Sequence, residues 1–217
     1  MNASAIILCG GKERRFGGRN KFLSSVGGRT VIDRVIGILR PIANQIILVT
    51  SPEKDIALKH DVRIVRDAYP GTGPLGGVYT GLVAADSEYA IVVGCDMPFL
   101  NPIILTYMLN IAPGHDIVVP RLGGRMVEPL HAVYAKTCVP EMKARLEKGI
   151  LAITPLFTEL KVRYLEKEEY LPLDPQMLSF FNINYPEDLE RANRIVAEID
   201  FKDSPAERQN ESSPQGL

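Results

Sequence analysis

Short runs of consecutive apolar, largely β-branched residues recur along the first half of the chain, separated by polar turns and by stretches of helical spacing. The first is Ala5-Ile6-Ile7-Leu8, followed by Gln45-Ile46-Ile47-Leu48-Val49, Val62-Arg63-Ile64-Val65 and Tyr89-Ala90-Ile91-Val92-Val93. The first, second and fourth show no apolar/polar alternation, the pattern of strands buried on both faces. Between them the period changes. Thr30 is placed to cap a helix ending at Leu39, with Val31, Val35, Ile38 and Leu39 on one face and Pro41 just beyond. A second helix is predicted over residues 75–85, and a third after Asn101-Pro102, an N-cap with proline at the first helical position.

The second half alternates less regularly. Asp116-Ile117-Val118-Val119 and residues 129–134 read as strands, residues 136–147 as a helix and residues 161–165 as a further strand. Tyr185-Pro186-Glu187-Asp188 opens a final helix to about residue 199, with Leu189, Ala192, Ile195 and Val196 as its stripe. From residue 201 the composition turns to Ser, Pro, Glu, Gln and Asn, which cannot bury enough apolar area to order itself. The expectation is one domain over residues 1–200 and a disordered tail over 201–217. Strand and helix alternating in this way reads as an α/β protein with a mostly parallel sheet. Ligands of such sheets sit outside the carboxyl ends of the strands. That rule points to residues 9–21, Thr50-Ser51, Arg66-Asp67 and Gly94-Cys95-Asp96.

Bulk composition narrows the choice. The 217 residues, 46% apolar and 24% charged, suit one sizeable globular domain. A formal net charge of -1 gives no global attraction to nucleic acid or to an anionic membrane, so any anion site must be local. No apolar run approaches the roughly 18 residues that would span a bilayer, and the first residues show no signal-peptide pattern. Cys9, Cys95 and Cys138 are odd in number and lack C-x-x-C spacing. That argues against a disulfide framework or a zinc site and fits a reducing cytoplasm. His60, His115 and His131 are scattered, and His131, in an apolar stretch, reads as a partly buried, hydrogen-bonded residue. The charge run from Glu166 to Glu169 reads as a solvated loop.

Local cations are found directly behind the first apolar run. Gly10-Gly11 open a turn with the spacing Gly-Gly-x-x-x-Arg-Phe-Gly-x-x-x-Lys, which fixes Arg15, Phe16, Gly17 and Lys21. Glycine lets successive backbone N–H groups point at an anion. The arginine fork and lysine point charge suit a triphosphate that loses pyrophosphate. The turn is neither a Walker A loop nor a Gly-x-Gly-x-x-Gly dinucleotide fingerprint. On its own it reads equally as a tight turn with solvated cations.

The segment resembles the signature of nucleotidyltransferases that activate sugars, alditols and cofactors, and within that group the molybdenum cofactor guanylyltransferase family. Four further stretches carry the resemblance: Gly73-Pro74-Leu75-Gly76-Gly77, Cys95-Asp96-Met97-Pro98-Phe99-Leu100, Glu128-Pro129-Leu130-His131-Ala132-Val133-Tyr134, and residues 181–189 with their Asn182-Ile183-Asn184. It spans residues 5–198 and implies a three-layer, Rossmann-like nucleotidyltransferase fold with a mostly parallel mixed sheet. The implied reaction moves GMP from Mg-GTP to the terminal phosphate of molybdopterin. Arg15, Lys21 and Asp96 would be catalytic, with Asp96 the Mg²⁺ ligand. Leu8, Cys9, Gly10, Gly11, Lys21, Asp67 and Asp96 would bind GTP, and Arg15, Gly18, Gly73, Gly77, Asn182 and Asn184 would face the molybdopterin side. Molybdoenzyme apo-proteins or their chaperones would be the protein partners.

Departures are Asn20 where the family has Asp, Cys9 for Ala, Met97 for Thr, and Thr50-Ser51-Pro52 where an Asn-containing turn is usual, so no site residue is carried over at that turn. Two alternatives stay open: a transferase of the same fold using CTP or a sugar-phosphate acceptor, and a non-catalytic nucleotide-binding module.

Overall fold

Strand β1 (Ala3–Cys9) is buried at all its positions, as an unbroken apolar run requires, and the rest of the sheet is built outward from it. The computed structural model describes residues 2–10, 21–53, 58 and 60–202. On one side, β1 pairs in parallel with β4 (Gln45–Thr50), which pairs in parallel with β5 (Arg63–Arg66). On the other, β1 is parallel to β6 (Tyr89–Gly94). Beyond β6 lie β9 (His131–Ala135), β7 (Ile117–Gly123) and β10 (Val162–Leu165), giving the order β10-β7-β9-β6-β1-β4-β5. Strand β9 runs antiparallel to both neighbours, while β7 and β10 are parallel to each other. Because β9 is reversed, its N-terminal end meets the C-terminal ends of β1, β4, β5 and β6 at one edge of the sheet.

Alternate residues of β1 feed two cores, as the period of two along a strand demands. Ala5 and Ile7 pack with α1 (Val31–Leu39), α3 (Pro102–Asn110) and α6 (Pro186–Lys202). Ile6 and Leu8 pack with α2 (Pro74–Ala84) and α4 (Val139–Glu147) on the opposite face. The result is three layers, helix–sheet–helix, around a mostly parallel mixed sheet, as expected. Two predicted caps are in place: Thr30 Oγ1 accepts from the Asp33 N–H, and the Asn101 side chain accepts from Ile103 and Ile104. Gly81 lies on α2 where an added Cβ would collide with Ile6 of β1, so glycine sets how closely this helix lies on the sheet.

Several elements were not expected. Gly27 and Gly28, at φ +56° and +75°, make a two-residue turn joining β2 (Ser25–Val26) to β3 (Arg29–Thr30). The strands are too short for periodicity to reveal them. A second small hairpin extends β7 past its apolar run and pairs it with β8 (Met126–Val127). The helix predicted over 136–147 begins as a 3-10 turn, Lys136–Cys138, before α4. The Glu166–Glu169 run is no solvated loop. It forms α5 (Lys167–Tyr170) with a capping box between Glu166 and Glu169. Arg121 pairs with Glu166 at 2.6 Å, Arg163 with Glu169 at 2.6 Å, and the Tyr107 hydroxyl donates to Glu169. Arg121 and Tyr107 come from elements distant in the chain, which a local reading of charge cannot foresee, whereas Arg163 lies six residues from Glu169.

His131 is more enclosed than predicted. It is wholly buried, with Nε2 2.7 Å from Ser179 Oγ and the Phe180 ring tilted against it at 4.8 Å between centroids, and burial pushes its pKa down to about 4. All three cysteines are buried and free of disulfides, and burial, aided by the charge of Asp116, pushes the Cys138 thiol up to about 12. Among the described residues no helix is long and apolar enough to cross a membrane. Residues 203–217, most of the predicted tail, lie outside the described residues; residues 201–202 belong to α6.

Candidate active site

A cavity of about 630 Å³ opens at the shared sheet edge. Leu8 and Gly10 from the end of β1, Asp67 after β5, Gly73 and Gly77 of the α2 start, and Asp96 after β6 all line it. Six positions singled out from sequence thus converge. Cys9 does not line it: one residue on from Leu8, its side chain points into the opposite core. Gly11, Arg15 and Gly18 lie outside the described residues. Lys21 opens a 3-10 turn, Lys21–Leu23, anchored by buried Phe22, and its side chain is likewise outside the description.

Each strand end is fixed by backbone pairing to its neighbour. The Asp67 N–H donates to the Thr50 carbonyl at 2.8 Å, and Cys95 N–H to the Leu8 carbonyl at 3.2 Å. Asp67 Oδ1 accepts from the Tyr69 N–H at 3.0 Å and from the Thr80 hydroxyl at 3.1 Å. Helix α2 starts at Gly73, φ +69°, with no side chain capping it and Pro74 in its first turn. Its partial positive charge therefore faces the cavity wall, a place for an anion.

Asp96 sits differently. A Cβ built on Gly94 would lie 2.5 Å from Asp96 Oδ1, so the carboxylate folds back over a glycine that leaves it room. Such a cradle suits a hard cation, which takes oxygen ligands and keeps several from water or phosphate. Among the described residues no group of three or more His, Cys, Asp or Glu gathers. Nearby, burial pushes the Glu128 carboxyl above its usual range, and the negative charge of Asp96 adds to the push against the hydrogen bond from Leu130.

The asparagine pair does not line the cavity. Asn182 donates to the Phe180 carbonyl at 3.3 Å, and the Asn184 N–H donates to the Asp188 carboxylate at 2.8 Å. Ile183 between them donates its N–H to the Asp96 carbonyl at 2.9 Å, which lays this segment along the Asp96 turn. Sequence reasoning carried no residue over at the end of β4, yet Thr50 and Ser51 line the cavity. Thr50 Oγ1 is buried without a hydrogen-bond partner among the described residues. The strand-end rule had pointed there; the departure from the family pattern hid it.

Residues 5–159 match the MobA-like NTP transferase domain family. The chain belongs to this family. It is accordingly a nucleotidyltransferase, and relatives match over nearly its whole length. A molybdenum cofactor guanylyltransferase of Desulfosudis oleivorans is 34% identical over 194 residues, 89% of this chain and 95% of that one. A probable molybdenum cofactor guanylyltransferase of Pelotomaculum thermopropionicum is 35% identical, covering 91% and 95%. Among solved structures, molybdopterin-guanine dinucleotide biosynthesis protein A of Archaeoglobus fulgidus superposes with a TM-score of 0.78 at 28% identity, covering 90% of this transferase and 99% of that chain.

Proposed function

We propose that this transferase moves GMP from Mg-GTP to the terminal phosphate of molybdopterin, releasing pyrophosphate and forming the molybdopterin guanine dinucleotide. The observation that carries the reading is the convergence of Leu8, Gly10, Asp67, the uncapped start of α2 and Asp96 on one cavity, in a chain whose relatives are named guanylyltransferases.

In this reaction the phosphate oxygen of molybdopterin forms a bond to the α-phosphorus of GTP as the bond to the β-phosphate oxygen breaks in line. The attacking oxygen is already anionic, so no strong general base is needed. Catalysis is positioning of two repelling anions and neutralisation of charge building on the leaving group. The Leu8–Gly11 backbone and the α2 start hold phosphates, Arg15 and Lys21 bring positive charge, and Asp67 takes a donor group of the nucleotide. Gly18, Gly73 and Gly77 form the molybdopterin side with Arg15, and Asn182 and Asn184, which lie outside the cavity along the Asp96 turn, would reach only the part of molybdopterin that extends beyond it. Asp96 would hold Mg²⁺, which would offset the negative charge of the phosphates. The catalytic unit is residues 1–200, working in the cytoplasm and handing its product to molybdoenzyme apo-proteins or their chaperones.

Pyrophosphate release with molybdopterin and each of GTP, CTP and ATP tests the reading. Turnover with GTP is expected. Turnover only with CTP would overturn the guanylyl assignment, and no release with any nucleotide would favour a binding module.

A further inference from the structure

The orientation of Asp67 in the cavity is set by a side chain from another element. Thr80 lies on the second turn of α2 and is only 5% exposed, too buried to reach a ligand itself. Its oxygen accepts the Ala68 N–H at 3.0 Å, which leaves the hydroxyl proton for Asp67 Oδ1 at 3.1 Å. The Tyr69 N–H, at 3.0 Å, fills a second site on the same oxygen. Oδ1 is thus committed to the protein, and Oδ2 has no hydrogen-bond partner among the described residues while Asp67 lines the cavity. The segment bearing Asp67 is seated rigidly for the same purpose. Tyr69 packs edge-on against Tyr79 of α2 at 5.4 Å, and Gly76 leaves room for the Tyr69 carbonyl, which a Cβ there would meet at 2.8 Å.

We propose that Thr80 is a positioning residue for nucleotide binding, holding Asp67 so that one carboxylate oxygen is presented to the ligand. The proposal rests on the reading that Asp67 contacts the nucleotide. A carboxylate repels phosphate, so the group that Oδ2 accepts from is a hydroxyl or N–H of the nucleoside. Helix α2 then serves both parts of the ligand: its first turn faces the phosphates and its second turn sets the acceptor for the nucleoside.

The experiment is a two-by-two cycle read by GTP titration, with the fold of each variant checked by its melting curve. Thr80→Val keeps the shape and removes the hydroxyl; Thr80→Ala replaces it if valine is not accommodated. Loss of an oriented, charged hydrogen bond is expected to weaken GTP binding by about tenfold. Thr80→Ser is expected to restore affinity, and kcat at saturating GTP to stay unchanged. Asp67→Asn is expected to weaken binding at least as much, with Thr80→Val adding nothing further in that background. If Asp67→Asn weakens binding and Thr80→Val does not, or if the two effects add, the role of Thr80 is overturned while that of Asp67 stands. If Asp67→Asn leaves affinity unchanged, the Asp67 assignment falls and Thr80 with it.

Discussion

Two aspartates end strands on opposite sides of β1 in the same sheet, yet their surroundings prepare them for different work. Asp67 follows β5, an edge strand with largely exposed side chains, and its carboxylate is gripped by an N–H and a hydroxyl. Asp96 follows β6, buried at nearly all its positions, and its carboxylate lies over Gly94. Donors already fill one oxygen of the first, which suits it to accept a single further hydrogen bond. The second lies over a glycine, at the position proposed to hold the metal. Equivalent positions in a fold therefore do not imply equivalent chemistry; the groups around a carboxylate decide it.

The sharpest way to break this comparison is to neutralise each in turn. Asp96→Asn is expected to lower the rate of pyrophosphate release by about a thousandfold, with GTP affinity changed far less. Equal losses of affinity at both positions would mean that the two carboxylates share a role. Next in size, Gly94→Ala forces the Asp96 carboxylate to move and is expected to reduce kcat by about a hundredfold. A wild-type rate in that variant would show that the cradle is unimportant. Asp67→Asn should act on the other side of the ledger, raising KM for GTP about tenfold while kcat stays within a few fold.

A last effect, read on stability rather than on rate, concerns what stands behind each aspartate. Asp67 is backed by α2, whereas the Asp96 carbonyl takes the Ile183 N–H from a segment that Ser179 fastens to buried His131. With its folded pKa near 4 against an ordinary 6.5, His131 binds fewer protons when folded than when unfolded. Its penalty is absent above pH 6.5 and grows as pH falls toward 4, reaching roughly 3 kcal/mol. Melting temperature is expected to fall across that window, and less steeply in His131→Gln. The comparison of the two proteins matters, because the raised Glu128 titrates in the opposite sense in both. Parallel curves would remove His131 from the account.

Most of the sheet was legible because its central strands are buried on both faces and so are spelled as apolar runs. The α1 and α3 starts were legible from Thr30 and Asn101, whose side chains do locally what sequence alone can indicate. The hairpins at Gly27-Gly28 and Gly124-Arg125 were not, since β2, β3 and β8 have two residues each and show no period. Nor was α5, whose glutamates are settled by Arg121 and Arg163 from β7 and β10. At the site, strand ends marked Asp67, Asp96 and even Thr50, but which oxygen of Asp67 is free depends on Thr80, thirteen residues away on a helix. Such pairings are written in three dimensions only.

Two of the buried cysteines, Cys9 and Cys138, give the transferase a property of a different kind. A thiol enclosed by protein, and in Cys138 held protonated to about pH 12, reacts with a maleimide only when the surrounding layers part. Cys138 belongs to the α4 side of the sheet and Cys9 to the α1 side, so the order in which they are labelled reports which helical layer opens first.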